Sequence, residues 1–226
     1  MIVFENVTKK FPLGNIVLEN ISFSVEEGEF VFLVGPSGAG KTTIIKLIQR
    51  EILPTSGSIF IDEMDITDKK FSNVLTLRRN LGVIFQDFKI LYDKSVFENV
   101  ALSLKVLEKY SFSKIKEKVK ETLAIVGLEG KEGVFPIQLS AGELQRVAIA
   151  RAIIGEQKII LADEPTGNLD PKTAWEIMKI FKKIEKQKTI IFATHNTDIV
   201  NSFQRRVLVL KNGKIIKDLR QGKYEF

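Results

Sequence analysis

The sequence predicts a mixed α/β fold with a mostly parallel sheet, and three features indicate it. The segments FVFLV, KIILA and TIIFAT are continuously apolar, as strands covered on both faces by helices are. Helical periodicity fills much of the stretch 93–154. Asn212-Gly213 separates two short apolar runs, which is a strong signal for an antiparallel hairpin. Strands that alternate with helices therefore predict a parallel core with a helical insert and antiparallel strands at the ends.

The elements can be assigned in chain order from local signals. The first part of the chain contains β-like runs at 2–7, 17–25, 30–34 and 58–61, and a helix at 42–49. In the insert, Ser95 and Glu98 form a capping-box pair at the start of one helix. Ser113 is expected to open a second helix, which Gly127 ends.

The last part of the chain returns to alternating strands and helices. A buried strand at 158–162 precedes a helix that starts at Asp170-Pro171, with aspartate as the cap and proline at the first position. A second buried strand covers 189–194, and the hairpin strands are expected at 207–210 and 215–216.

Composition excludes several classes of protein. The 226 residues are 44% hydrophobic and contain no cysteine, so a full core is expected while disulfides, thiol catalysis and cysteine zinc sites are excluded. No apolar run of about 18 residues and no secretion signal occur, so we expect a cytoplasmic protein that reaches a membrane only through a partner. The net charge of +6 fits a lysine-rich solvated surface, and leaves contact with a polyanion or an anionic membrane open.

A phosphate-binding loop follows the strand FVFLV directly. The pattern G-x-x-x-x-G-K-[ST] is matched, and with the next threonine the loop comprises Gly35, Pro36, Ser37, Gly38, Ala39, Gly40, Lys41, Thr42 and Thr43. Glycines let successive N–H groups point at phosphate oxygens, and the positive end of the following helix faces the same anion. Lysine neutralises the outer phosphates and the threonine hydroxyl binds Mg²⁺. The motif predicts nucleotide binding on a P-loop NTPase core, which many kinases and GTPases share.

An acidic pair, Asp163 and Glu164, follows the strand KIILA. The carboxyl ends of parallel strands are where ligands bind in such sheets. We expect Asp163 to hold Mg²⁺, through water, and Glu164 to polarise the water that attacks the γ-phosphate. The alternative is that the two carboxylates only cap the turn at 165–167.

The segment LSAGE, followed by LQRVAIARA, closely resembles the signature segment of ATP-binding-cassette (ABC) ATPases. The resemblance covers essentially the whole chain. It implies the ABC ATPase fold, with a single domain over 1–226 divided into a catalytic core with an N-terminal antiparallel β subdomain (about 1–92 and 155–226) and a helical subdomain (93–154). It also implies a head-to-tail homodimer, formed on binding ATP, in which Ser140, Gly142 and Glu143 meet the γ-phosphate of ATP held by the other subunit. Locally, Ser140 and Glu143 form a capping box, so a well-started helix is the simpler interpretation.

The other motifs of the family are present in order, and the resemblance assigns their roles. Phe11 stacks on adenine, Gln86 contacts Mg²⁺ and senses the nucleotide, Asp170 lies in the loop that crosses to the partner subunit, and His195 contacts the γ-phosphate. The alternatives are that Phe11 belongs to the core and that His195, the only histidine of the sequence, is structural. ATP and Mg²⁺ are the implied cofactors, with Thr42, Gln86 and Asp163 at the metal.

Two residues depart from the pattern of the family. Ala141 replaces a glycine, at a cost of about 1 kcal/mol if that position needs a positive φ. Asn196 follows His195 where an acid is commoner, which leaves the geometry of this loop open.

Within the family, the segments FQDFKILYDKSVFENVAL, DEPTGNLDP and ATHNTDIVN are most similar to the cell-division ATP-binding proteins of the FtsE type. That resemblance implies an integral membrane partner, FtsX, control of cell-wall hydrolases in bacterial division, and a place on the inner face of the plasma membrane. We expect the partner to dock near Phe88, Ile90, Leu91 and Tyr92, since apolar residues in a surface segment suggest a docking groove. The alternative is that these residues pack against the helical insert.

Other functions stay open at this point. Lipoprotein-releasing and macrolide-efflux cassettes share the GNLD turn. A soluble cassette acting on nucleic acid or the ribosome usually carries two cassettes or long coiled coils, which this chain lacks, so no direct contact with nucleic acid is expected. A small P-loop kinase would have no signature segment.

Overall fold

The computed structural model describes residues 1–12 and 14–220, and its centre is a six-stranded sheet. The strand order is β10-β9-β3-β8-β7-β6, and all pairs are parallel except β10 with β9. The strands are β3 (Phe30–Val34), β6 (Leu81–Ile84), β7 (Ile159–Asp163), β8 (Thr189–Thr194), β9 (Arg206–Lys211) and β10 (Lys214–Leu219). The hairpin predicted at Asn212-Gly213 therefore supplies the antiparallel edge of this sheet.

A second, antiparallel sheet is formed mainly by the N-terminal part of the chain. Its order is β2-β1-β4-β5, with the strands β1 (Ile2–Lys10), β2 (Ile16–Val25), β4 (Ser56–Ile61) and β5 (Met64–Asp65). The first long helix, α1 (Lys41–Ile48), shares a core with this sheet and with one face of the central strands. The phosphate loop at the start of α1 is thereby fixed between two sheets.

The remaining helices are α2 (Val74–Arg79), α3 (Val96–Lys105), α4 (Phe112–Val126), α5 (Ala141–Ile153), α6 (Pro171–Ile184) and α7 (Thr197–Phe203), with a 3₁₀ turn at Pro136–Gln138. Helices α3 to α7 cover the other face of the central sheet, whereas Leu77 of α2 joins the core around α1. Helices α3 to α5 fall inside the stretch 93–154, although the division of the chain into subdomains stays a prediction. The start predicted for α4 at Ser113 is wrong, because the side chain of Ser111 caps the helix by accepting a hydrogen bond from the Lys114 N–H.

Strand β3 shows why FVFLV is apolar throughout. Phe30 and Phe32 pack on one face against Phe192, with ring centroids 6.1 and 5.4 Å apart. Val31 and Leu33 point to the opposite face and join the core around α1. Both faces are dry, and truncating one such phenylalanine to alanine typically costs about 3–5 kcal/mol. The predicted α/β fold class is confirmed.

Candidate nucleotide-binding site

A cleft of about 670 Å³ lies at the carboxyl ends of the central strands. It is lined by the loop residues 36–43 together with Val17, Gln86, Glu164 and His195. The structure thus brings the phosphate loop together with three side chains that the sequence predicts to be catalytic, although these come from distant parts of the chain.

The loop needs glycine at two positions for different reasons. Gly40 has φ 108°, and a Cβ there would lie 2.6 Å from a Leu18 methyl group. Gly35 is packed against the backbone, since a Cβ would lie 2.2 Å from the Leu210 carbonyl oxygen. Gly40 also caps α1 without a side-chain hydrogen bond, so the first N–H groups of the helix are available to an anion.

Lys41 is buried beside three oxygen atoms. Its Nζ donates to the carbonyl oxygens of Gly35 and Pro36 at 2.7 and 3.2 Å, and lies 3.3 Å from Glu164 Oε1. A buried ammonium needs such partners, because desolvation without them costs several kcal/mol. A triphosphate in the cleft would replace them with phosphate oxygens, which are also negative and also accept hydrogen bonds.

Glu164 is held in an uncommon conformation. Its φ is 48°, a region that costs a non-glycine residue roughly 1–2 kcal/mol and that is concentrated at functional sites. Both carboxylate oxygens lie 3.0 Å from Nδ1 of His195. The carboxylate is largely buried whereas the imidazole is 61% exposed, so His195 stands between Glu164 and the open side of the cleft.

Asp163 offers a buried carboxylate oxygen that could bind a cation. Burial raises the pKa of its carboxyl, and the Thr42 hydroxyl hydrogen-bonds to it. Its Oδ1 is buried and makes no hydrogen bond within the described part of the chain. A buried carboxylate oxygen beside a threonine hydroxyl is the kind of hard oxygen donor that Mg²⁺ prefers.

Hydrogen bonds from Asn168 and Arg151 hold Gln86 and the residues that follow it in place. Asn168 accepts from the Gln86 side chain at 3.4 Å and donates to the Gln86 carbonyl at 3.2 Å. Further along, Arg151 of α5 donates to the carbonyls of Phe88 and Lys89 at 3.0 and 2.7 Å.

The sequence did not single out Arg151 or the buried Asn99, which fixes the next segment by bonding to Leu91 and Lys94. Helical spacing could have identified both residues as polar side chains on a buried helix face. Asn99 follows Val96 by three positions and Arg151 follows Val147 by four.

The signature residues lie outside the cleft of their own chain. Ser140 caps α5, and its hydroxyl is 2.9 Å from Glu143 Oε2. A close ion pair with Lys131 and the hydrogen bonds from Ser140 lower the pKa of Glu143 to about 2. Gly142 is buried, while Asp170 is exposed and caps α6 by accepting from the Thr173 N–H. The structure does not bring these four predicted ligands to the phosphate loop of the same subunit.

Neither departure from the family pattern strains the backbone. Ala141 is the first residue of α5 and has no positive φ, so the expected cost does not arise. Asn196 caps α7 by accepting from the Ile199 N–H at 3.1 Å, which replaces an acid by an equally good cap.

Phe11 lies apart from the cleft lining. The residue is 36% exposed and its ring centroid lies 5.1 Å from the Lys9 ammonium, whereas Val17 supplies the apolar lining near the phosphate loop. A role for Phe11 in adenine stacking stays a prediction.

The docking surface expected at 88–92 needs a correction. Ile90 is buried and Phe88 packs against the core of the helical insert, so the alternative interpretation holds for these two residues. Only Leu91 and Tyr92 are exposed, at 40% and 56%.

The family described as ABC transporter matches residues 18–167, which is more than half of the chain. This chain is an ATPase of the ABC transporter family. The cassette is 47% identical over 225 residues to the cell division ATP-binding protein FtsE of Bacillus subtilis, covering 99% of this chain and 98% of that one. It is 44% identical to FtsE of Streptococcus pneumoniae, covering 100% and 98%. The predicted family and ATPase activity are confirmed.

A solved structure of similar fold is a dimeric ATP-binding cassette in a post-hydrolysis state, bound to ADP and Pi. It superimposes on the cassette with a TM-score of 0.87 at 35% identity, and the match covers 100% of both chains. No helix in the described part of the chain is long and apolar enough to cross a membrane.

Proposed function

We propose that the cassette is the ATP-hydrolysing subunit of an FtsE-type complex, which acts with an integral membrane partner of the FtsX type in bacterial cell division. The observation that supports this most strongly is the 47% identity to FtsE over nearly the whole of both chains. The cleft supports the same proposal, since a phosphate loop, a strained carboxylate and a histidine surround one cavity.

Two subunits would close head to tail around ATP. Ser140 and Ala141 at the start of the signature helix are exposed and do not line the cleft of their own subunit, which leaves them free to meet the γ-phosphate held by the other copy. Ser140 would turn its hydroxyl from Glu143 to that phosphate, and the N-terminal end of α5 would add favourable charge. Asp170, exposed at the start of α6, lies in the loop that would cross to the second copy.

The residues around Asp163 fit Mg²⁺. Thr42, Asp163 and Gln86 would hold it, and the metal would neutralise charge on the β- and γ-phosphates. Asp163 contributes the buried oxygen described above, which has no hydrogen bond in the described part of the chain.

Glu164 would take the proton of the attacking water. When ATP binds, phosphate oxygens would replace Glu164 as the partner of the Lys41 ammonium. The Glu164 carboxylate would then stay hydrogen-bonded to His195 and be free to act at the γ-phosphate. Water then attacks phosphorus, the bond to ADP breaks, and His195 stabilises the charge on the departing phosphate.

The membrane partner would dock in a groove between α2 and α3 rather than on 88–92. The groove has a volume of about 290 Å³ and combines exposed apolar side chains with two arginines. Leu75 and Val106 are 73% and 55% exposed, and Leu81 at its floor begins the strand β6 that leads to Gln86. An amphipathic helix of the partner with acidic residues at its edge would complement both features.

This docking site is tested by co-purification with the FtsX-type subunit of the same organism. Val106→Asp should abolish the complex and leave ADP binding unchanged, while Leu53→Asp, at an exposed leucine outside the groove, should not affect the complex. Retention of the complex by Val106→Asp would contradict this docking site.

The experiment that tests the proposed mechanism is Glu164→Gln. The variant should bind ATP, lose about 10²–10⁴-fold in kcat, and accumulate as an ATP-bound dimer on size exclusion. Glu63→Gln, at an exposed turn position, is the matched control and should behave as the unchanged protein. Normal hydrolysis by Glu164→Gln would show that another group accepts the proton.

A further inference from the structure

The starts of α5 and α6 lie against each other where Gly142 faces Thr173. A Cβ built on Gly142 would lie 2.5 Å from Cγ2 of Thr173, far inside van der Waals contact. Gly142 is buried and its φ is not positive, so its backbone conformation is open to any residue. Glycine is less favourable than alanine in a helix. Packing against Thr173 therefore explains why glycine is present.

Thr173 is a stiff neighbour. Threonine is branched at Cβ, which restricts its rotation. Its N–H donates to Asp170 Oδ1 at 3.1 Å, and its hydroxyl also hydrogen-bonds to this aspartate. Turning the methyl group away from an added side chain at 142 would break the hydroxyl bond to Asp170. A larger side chain at the start of α5 would therefore displace Asp170 in the loop that precedes α6.

We propose that Thr173 is a positioning residue, whose methyl group sets the start of the signature helix against Asp170 so that Ser140 and Asp170 engage the second subunit as one unit. Ser140 and Asp170 both lie close in sequence to this contact, since Ser140 precedes Gly142 by two residues and Asp170 precedes Thr173 by three. The inference rests on the head-to-tail pairing under the proposed function.

The test combines substitutions on both sides of the contact in the Glu164→Gln background. Gly142→Ala should weaken ATP-driven dimerisation about tenfold or more, because overpacking moves the helix start. Thr173→Ser removes only the methyl group and keeps the hydroxyl, so Gly142→Ala/Thr173→Ser should recover to within about threefold of the parent. Thr173→Val keeps the methyl group, and Gly142→Ala/Thr173→Val should not recover. The same order is expected for kcat when Glu164 is present.

Binding of a fluorescent ADP analogue to single subunits separates positioning from general damage. It should stay unchanged in all variants, because the phosphate loop does not include this contact. Thr173→Ile, which enlarges the contact from the other side, serves as a second variant should Gly142→Ala fail to fold. It should weaken dimerisation in the same way.

The proposal is overturned if Gly142→Ala/Thr173→Ser dimerises as poorly as Gly142→Ala with ADP binding intact. The glycine would then serve the other subunit's nucleotide directly. It is also overturned if neither Gly142→Ala nor Thr173→Ile changes dimerisation. Failure of Glu164→Gln alone to dimerise would instead count against the head-to-tail pairing itself.

Discussion

Asn99 offers a sharp test of how the segment after Gln86 is held in place. Its side chain is fully buried, and the two hydrogens of its NH₂ group are shared among the carbonyls of Leu91, Lys94 and Ser95 at 2.9–3.1 Å. Its Oδ1 accepts from the Leu91 N–H at 2.9 Å. The carbonyls of Ser95 and Leu91 keep second partners, the backbone N–H groups of residues 99 and 94, so Asn99→Ala leaves two backbone groups without a partner, the Leu91 N–H and the Lys94 carbonyl.

The expected loss follows from these bonds. At about 1 kcal/mol for each of the two backbone groups that lose their partner, Asn99→Ala should lower the free energy of unfolding by roughly 2 kcal/mol. For a domain of this size that corresponds to a fall in Tm of about 4–8 °C. Thermal unfolding followed by circular dichroism measures it. Affinity for ADP should be unchanged at a temperature where the variant is folded, because the phosphate loop belongs to the other core.

The control is Asn73→Ala, at an exposed helix cap that makes no side-chain capping bond, which should change the free energy of unfolding by less than about 0.5 kcal/mol. A Tm for Asn99→Ala within about 2 °C of the parent would refute the reasoning. The segment would then be held by the packing of its apolar residues alone.

Three further predictions concern the site. Arg151→Ala should make the loop after Gln86 more sensitive to proteolysis and leave ADP binding intact, whereas Arg151→Lys should be intermediate; equal digestion of all three proteins would contradict this. His195→Ala should lower kcat about 10²-fold with little change in the KM for ATP, measured by phosphate release. An unchanged kcat would contradict a role of His195 in stabilising the departing phosphate. Because the pKa of Glu143 is lowered in the folded protein to about 2, its contribution to stability is present above about pH 4.5 and is lost as the pH falls toward 2. Lys131→Met should therefore destabilise the protein at pH 6 more than at pH 3 in urea unfolding, and an equal effect at both would contradict the pairing.

The fold and the cleft were largely predictable because their signals are local. A strand dry on both faces must be apolar throughout, and a loop that wraps phosphate must be rich in glycine. The start of α4 was not predictable in this way, since Ser111 and Ser113 are both suitable caps. In the structure Ser111 is the cap, and the first helical residue, Phe112, packs edge-on against Phe97 with ring centroids 6.1 Å apart. This contact is between α4 and α3, so no local pattern shows it.

Long-range packing also explains the other differences. The sequence shows that Ile90 is apolar, but only the fold shows that it points into the helical insert. The groove between α2 and α3 is formed by segments almost thirty positions apart, Leu75 and Leu102 among them, and no local pattern joins them. The lack of space for a side chain at Gly142 also comes from long-range packing, since Thr173 lies in another helix.

The most direct measurement of the head-to-tail arrangement is disulfide cross-linking. The chain has no cysteine, so introduced thiols are the only ones. Subunits carrying Ser37→Cys are mixed with subunits carrying Ala141→Cys, both in the Glu164→Gln background, and oxidised with and without ATP. We predict that ATP produces a cross-link between unlike subunits, because the phosphate loop of one copy meets the signature helix of the other. Unlike subunits that stay unlinked with ATP, while a dimer forms, would contradict the arrangement.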